Sequence, residues 1–293
     1  MSAYDFHPLK HNDLVAALAK PALRLRTREL ERVIFTATTG RSGTLTLSKL
    51  FSTVPACIAM HEAPPIMNGP VLEAANFGNV ALLERVYRQI KSINILRASI
   101  GYRYYMEANH LFVKTFIQQA VQDFGDRLAV IHLVRDPIEV ATSIFRLQDY
   151  PGTERGNYWW LDYRAPSNLL QIADVLDSHS DFSHPFYRAL WYWHEVEARI
   201  AAMRAQMPTL KVCRFETNWL NNVSKVYALF DELHVEYDKL LLAARVGIRE
   251  HDKEDEKTGP ALARGRAQEM LSQFRALLGQ RGFDLPREWL AAS

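Results

Sequence analysis

The sequence has 293 residues, 48% of them hydrophobic, and a formal net charge of +2, enough for one sizeable domain with a large core and no electrostatic basis for bulk nucleic-acid binding. No run approaches the ~18 apolar residues of a bilayer span, and the polar start Met1 to Pro8 has no signal-peptide core, so a soluble cytoplasmic protein is expected. Cys57 and Cys213 both fall in apolar runs that read as strands, the pattern of buried thiols in a reducing compartment and not of a disulfide framework.

Residues 1–31 read as a polar lead-in. Leu14, Ala17, Leu18 and Leu23 suggest a helix broken by Pro21, followed by Arg24, Arg26, Arg28 and Arg32. The plain reading is a solvated helix on the domain edge; a dimer arm or a lid is the functional alternative.

Arg32 to Phe51 is the stretch around which the rest is organised. Val33, Ile34 and Phe35 form a short β-prone run that ends in a Thr/Gly/Ser cluster. Gly40 and Gly43 permit positive φ, so consecutive N–H groups can converge on an anion. From Thr44 the period changes, with Leu47, Leu50, Phe51 and Val54 on one helical face. A helix starting there directs its positive end at whatever the loop holds. Arg41 adds a fixed charge, and Ser42, Thr44 and Thr46 add hydroxyl donors.

A second strand, Ala56 to Met60, ends at His61 and Glu62, with Pro64 and Pro65 just beyond. Strand carboxyl ends line the ligand crevice of a doubly wound sheet, and the alternation of an extended segment lets only one of His61 and Glu62 face it. Residues 66–110 read as mostly helical, with a stripe of Leu82, Leu83, Val86, Ile90 and Ile93. Gly101 to Met106 is an aromatic cluster, either core or a surface on which an acceptor stacks. Leu111 to Thr115 reads as a third strand. Lys114 near its end is costly to bury without a partner, so it serves the crevice or reaches water from an edge.

Ala129 to Val134 is again an apolar run, with His132 inside it read as a hydrogen-bonded core residue. Asp136 and Pro137 give an N-cap and first-turn signal. Arg135 is thereby left at the strand's carboxyl end, and Ser143 and Arg146 share one face of the helix that follows. This is a second candidate anion site.

Thr39-Gly40-Arg41-Ser42-Gly43-Thr44-Leu45 resembles the 5′-phosphosulfate loop of sulfotransferases, and Val134-Arg135-Asp136-Pro137 with Ser143 resembles their 3′-phosphate motif, in the family's order and with its eight-residue offset from Arg135 to Ser143. The resemblance covers residues 32–62 and 111–146, and more weakly 186–232. It implies an α/β fold, a central parallel sheet with helices on both faces of the P-loop sulfotransferase type, in one domain over 1–293. It further implies 3′-phosphoadenosine 5′-phosphosulfate (PAPS) as co-substrate and a hydroxyl-bearing acceptor. Thr39 to Leu45 would hold the 5′ end of the donor, and Arg135 and Ser143 its 3′-phosphate. Glu62 lies 21 residues after Arg41, a spacing similar to that of the base in tyrosylprotein and heparan-type members. His61 is the alternative, although cytosolic small-molecule members place their His later in the chain. Lys114 would face the transferring sulfuryl group, and with Arg41 stabilise the leaving charge.

Residues 147–181 form a long connection in which Tyr158, Trp159 and Trp160 are read either as acceptor contacts or as anchors. Residues 183–206 hold the longest helical pattern. Leu210 to Glu216 reads as a fourth strand, similar to the family's late strand, and Trp219 to Leu233 as the helix after it. The charged segment 249–260 reads as a mobile surface loop; in the family a late basic loop closes on the 3′-phosphate, a part open to Lys253, Lys257 or Arg264. A final helix spans Ala263 to Leu278. There is no internal repeat and no Cys/His spacing suited to a metal.

Two other readings remain at this stage. A nucleotide kinase or NTPase would need a Lys after its second loop glycine, where Gly43 is followed by Thr44. A non-catalytic nucleotide-binding protein would be marked by the absence of Glu62 or Lys114, and both are present.

Overall fold

The structure, a computed structural model, describes residues 13–248, 259–283 and 286. Five short runs form its strands: β1 (Arg32–Ala37), β2 (Cys57–His61), β3 (Tyr104–Ala108), β4 (Leu128–Val134) and β5 (Lys211–Glu216). All pair in parallel, in the order β2-β3-β1-β4-β5, with Phe35 opposite both Glu107 and Val130, and Ile131 opposite Cys213.

A parallel sheet must be covered on both faces, and alternate residues of the strands do this here. Val33, Phe35, Tyr105 and Val130 belong to a core with the Phe186–Gln206 helix, including Leu190, Trp193 and Val196. Ile34, Met106, Ile131 and Cys213 belong to a second core with α2 (Thr44–Phe51) and the Val223–Glu232 helix. Stacked pairs hold each side, Phe35 on Phe112 at 4.5 Å and Phe51 on Phe230 at 4.3 Å between ring centroids. The expected α/β architecture with helices on both faces is therefore present. Burial pushes both Cys57 and Cys213 up to about 12, leaving them inert thiols.

β1 and β4 are neighbours, yet the chain leaves β1 toward β2 on one side and β4 toward β5 on the other. Such a switch point opens a crevice at the strand carboxyl ends. The loop after Ala37 and the turn at Arg135 meet there.

Several elements differ from the sequence reading. The third strand is Tyr104–Ala108, inside the segment read as helical and as an aromatic cluster, while Phe112–Thr115 is a single helical turn. Tyr104 and Tyr105 are thus core residues of the sheet, and Lys114 is not on a strand. The first helix, α1 (Asp13–Arg26), runs through Pro21 without a break, pinned by Lys20 Nζ on Asp123 at 2.6 Å and by buried Ala16. Tertiary contacts here override the local cost of proline. The 147–181 connection contains two helices, Glu154–Trp159 and Ala173–Ser178. Residues 249–258, with Lys253 and Lys257, lie outside the described residues. Just after them the Gly259 N–H donates to the Arg146 carbonyl at 2.7 Å, and Arg264 is exposed at the start of the Arg264–Gln280 helix. Among the described residues no helix is long and apolar enough to cross a membrane.

Candidate active site

The loop between β1 and α2 has the backbone of an anion cradle. Gly40, Arg41 and Gly43 have φ of 83°, 56° and 80°, left-handed backbone ahead of the α2 N-terminus of the kind from which anion-binding concavities of N–H groups are built. Gly40 is required twice over. Its φ disfavours any L side chain, and a Cβ there would lie 3.1 Å from the Trp160 ring and 3.2 Å from that of His110. Gly43 likewise faces Leu220, 2.7 Å from where a Cβ would be.

The loop hydroxyls brace this shape from inside. Ser42 Oγ and Thr39 Oγ1 each donate to the Gly40 carbonyl at 2.9 Å, and both residues are buried. Ser42 therefore offers the crevice its backbone and not the hydroxyl that the sequence suggested. Thr217 Oγ1 contacts both the Ser42 carbonyl, at 2.9 Å, and the Val134 carbonyl, at 3.0 Å, tying the loop to the end of β4. Leu45 lies half-buried in the first turn of α2, its carbonyl accepting from Ser48 Oγ.

The two candidate anion sites are joined. Arg41 Nε donates to Ser143 Oγ at 3.0 Å, and Arg135 Nη1 donates to the Arg41 carbonyl at 2.6 Å while its Nε holds Glu139 at 2.7 Å. Trp193 Nε1 fixes the Arg135 carbonyl from behind, at 2.9 Å. Asp136 caps the Pro137–Arg146 helix as expected, accepting from the Glu139 N–H. Two guanidinium groups and a hydroxyl thus follow one wall from the cradle to the β4 turn.

On the other side stand the turns after β2 and β3. His61 ends β2, and its Nε2 lies 3.0 Å from Thr44 Oγ1. Glu62 has a φ of 49°, so the alternation expected of an extended segment stops at His61. Both side chains consequently reach the crevice side, Glu62 Oε1 lying 3.5 Å from His110 Nε2.

Sequence reasoning missed His110. It is buried against Gly40 and between Trp159 and Trp160, with ring centroids 6.4 and 5.1 Å away. Lys114 stands behind it, its ammonium 2.9 Å from His110 Nδ1 and hydrogen-bonded to the Tyr192 hydroxyl, which donates to the Thr39 carbonyl at 2.6 Å. Lys114 is therefore linked to the cradle through Tyr192 and to Glu62 through His110, and spends its own contacts one layer back from the crevice. Burial, with the charge of Arg199 adding to it, pushes the Lys114 amine well below the ordinary lysine value, against the pull of Glu62. Burial, then Lys114, His61 and Arg41, hold the His110 imidazole well below its ordinary value. Burial also lowers His61, which Glu107 partly offsets. The signal for His110 was its place two residues past β3, hidden once that strand was read as 111–115. His132, by contrast, is the core residue expected, its Nε2 2.9 Å from Glu197.

The long connection supplies both anchors and surface. Trp160 is buried beside His110 and Tyr192, Trp159 is half-buried, and Tyr158 is exposed with its ring over Gly69.

No protein-family model and no curated protein sequence matches the chain. Solved structures similar to it include sulfotransferases. The sulfotransferase domain from the curacin biosynthetic pathway is 15% identical, with 88% of this chain and 99% of that one covered and a TM-score of 0.48. The sulfotransferase from Alicyclobacillus acidocaldarius is 17% identical over 87% and 97%, with a TM-score of 0.45. Mouse sulfotransferase SULT7A1, complexed with PAP, is 14% identical over 92% and 85%, with a TM-score of 0.38. The architecture given above rests on the sheet of this chain and not on those values.

Proposed function

We propose that this chain is a sulfotransferase that moves the sulfuryl group of PAPS onto a hydroxyl, or an amine, of a carbohydrate, peptide or small-molecule acceptor. One observation carries the reading: Arg41 belongs to the cradle and also bonds Ser143, while Arg135 bonds the Arg41 carbonyl. A continuous cationic wall of this kind suits a nucleotide with one anionic group in the cradle and a second on its 3′ carbon. A triphosphate would call for the missing Lys after Gly43.

In this reading Thr39 to Leu45 hold the 5′-phosphosulfate by backbone N–H groups and the α2 N-terminus, and Arg135 and Ser143 hold the 3′-phosphate. Charge builds on the leaving phosphate oxygen during transfer, and positioning with electrostatics does most of the catalysis. Arg41 and the loop N–H groups meet that charge. Glu62 takes the acceptor's proton, with His110 beside it. Lys114 contributes through His110 and Tyr192 and not by direct contact. Trp159 and Tyr158 offer the acceptor an apolar wall next to the base. The two inert thiols fit a cytoplasmic, reducing location.

Thermal stability of the purified protein with 3′-phosphoadenosine 5′-phosphate (PAP), with ADP, and with ATP plus magnesium tests the reading. A ligand at about 100 times its dissociation constant adds ~2.7 kcal/mol. Stabilisation by PAP alone, lost in Arg135→Ala, is the expected result; stabilisation by ATP plus magnesium instead supports the kinase.

A further inference from the structure

Beneath the two turns that bring Glu62 and His110 together lies an ion pair with almost no access to water. Lys91 Nζ donates to Glu107 Oε1 at 2.6 Å, with side-chain exposures of 1% and 0%. The Glu107 carboxylate also accepts from the Tyr105 hydroxyl at 2.6 Å and from Asn109 Nδ2 at 2.8 Å, so its lone pairs are well occupied. A pair buried this deeply is weak evidence for stability, because desolvation of two charges offsets most of their attraction and an apolar pair would serve as well. Its placement explains it better.

Apart from the Tyr105 hydroxyl, which stays within β3, the bonds of the cluster beyond the pair lead to the crevice turns. Lys91 Nζ also donates to the Ala63 carbonyl at 2.7 Å, the residue after Glu62. Asn109, the residue before His110, ties its own turn to the turn after β2 and to the end of β1. Its Nδ2 lies 3.3 Å from the Ile66 carbonyl, its Oδ1 accepts from the Leu111 N–H at 2.8 Å, and its N–H donates to Thr36 Oγ1 at 2.9 Å, close to the start of the cradle. Lys91 is delivered by a π-turn, Tyr87–Lys91, set within otherwise α-helical chain. Such turns re-aim a side chain at a local cost in geometry and are frequent at functional sites.

We propose that the Lys91–Glu107 pair, with Asn109, is a positioning device that fixes the Glu62 turn against the His110 turn. The inference rests on the sulfotransferase reading for what the two turns do, but not for the coupling itself. Lys91 and Glu107 touch neither donor nor acceptor in this scheme. They hold the base and its histidine neighbour at contact distance while leaving the cradle untouched.

Side-chain 15N spectra of histidine-labelled protein measure the coupling directly, with the His110 signal assigned by its loss in His110→Asn. In the wild-type background Glu62→Gln shifts the His110 ring nitrogens. In the Lys91→Met/Glu107→Gln background, which removes both charges and keeps an amide oxygen for Tyr105 and Asn109, the same substitution is expected to move them less than half as far, while affinity for PAP by calorimetry stays within about threefold. An undiminished response to Glu62→Gln overturns the proposal, as does a PAP affinity that falls tenfold or more, since the pair would then support the cradle as a whole. Asn109→Ala provides the same measurement with both charges of the pair kept in place, removing one hydrogen bond to Glu107, should the double variant fold poorly. Wild-type protein that does not bind PAP sinks the sulfotransferase reading alone, and the spectra still decide on the pair.

Discussion

Three residues show how little latitude the crevice allows. Gly40 combines a positive φ with rings of Trp160 and His110 that would stand closer to an added Cβ than ordinary van der Waals contact. Gly40→Ala is expected to cost about 1–2 kcal/mol of stability from the backbone conformation and to weaken PAP at least tenfold in calorimetry; wild-type affinity would show that the loop does not bind through its backbone. Glu62→Ala is expected to slow PAPS consumption ~100-fold or more, the usual contribution of a general base, with PAP affinity unchanged, and a loss of only a few-fold refutes the base assignment. Lys114→Met removes a buried cation whose amine burial already pushes toward neutrality. Desolvation relieved and hydrogen bonds lost largely cancel, so Tm should stay near that of wild type while turnover falls about tenfold through His110. A large drop in Tm at unchanged turnover would make Lys114 merely structural.

At the scale of elements, β4 is tied to the helix behind it by His132 and Glu197, both buried. His132→Leu leaves the carboxylate buried without that partner, and about 3–5 kcal/mol of stability should be lost in urea unfolding; a neutral result would mean that Glu197 is solvated in the variant. The same elements show what the sequence conveys. β1, its glycine loop and α2 were readable because period, punctuation and glycine placement coincide there, and β4 with its Asp-Pro cap was readable for the same reason. β3 was not. Its apolar run is interrupted by Glu107, whose burial is acceptable only because Lys91 reaches it from a distant helix, and no local pattern carries that information. The neighbouring Leu111-Phe112-Val113 run, more apolar and more β-prone, took its place in the reading, and His110 was overlooked with it. Glu62 was singled out by a spacing that resembles the family's, but its left-handed backbone, which puts it and His61 on the same crevice side, depends on contacts outside the motif. Trp160 and Tyr192 entered the site from loops and helices whose direction only the folded chain fixes.

Across the whole molecule, buried neutral histidines make the fold acid-labile. His194 is lowered from 6.5 to about 3, by burial above all, and His110 is lowered well below its ordinary value. Each binds a proton in the unfolded chain near pH 6.5 but not in the folded one, so stability falls as pH drops below 6.5 and continues to fall until the folded value is reached. The slope is about 1.4 kcal/mol per pH unit for each such group. Denaturant unfolding between pH 7 and 4 should show this decline, reduced in His194→Leu; a flat profile would mean that these rings are accessible to water. The strand order has a consequence of another kind. β1 sits at the centre of the sheet, yet Arg32 pairs with Tyr104 and Val33 with Leu128, so this strand waits for partners that emerge much later in synthesis. Until then Val33, Ile34 and Phe35, fully covered in the finished fold, remain an uncovered β-prone segment on a nascent chain. Non-local pairing of this kind slows folding and leaves such segments open to aggregation. The stretch that builds the candidate anion cradle is thus also the one for which translation speed and chaperone protection should matter most.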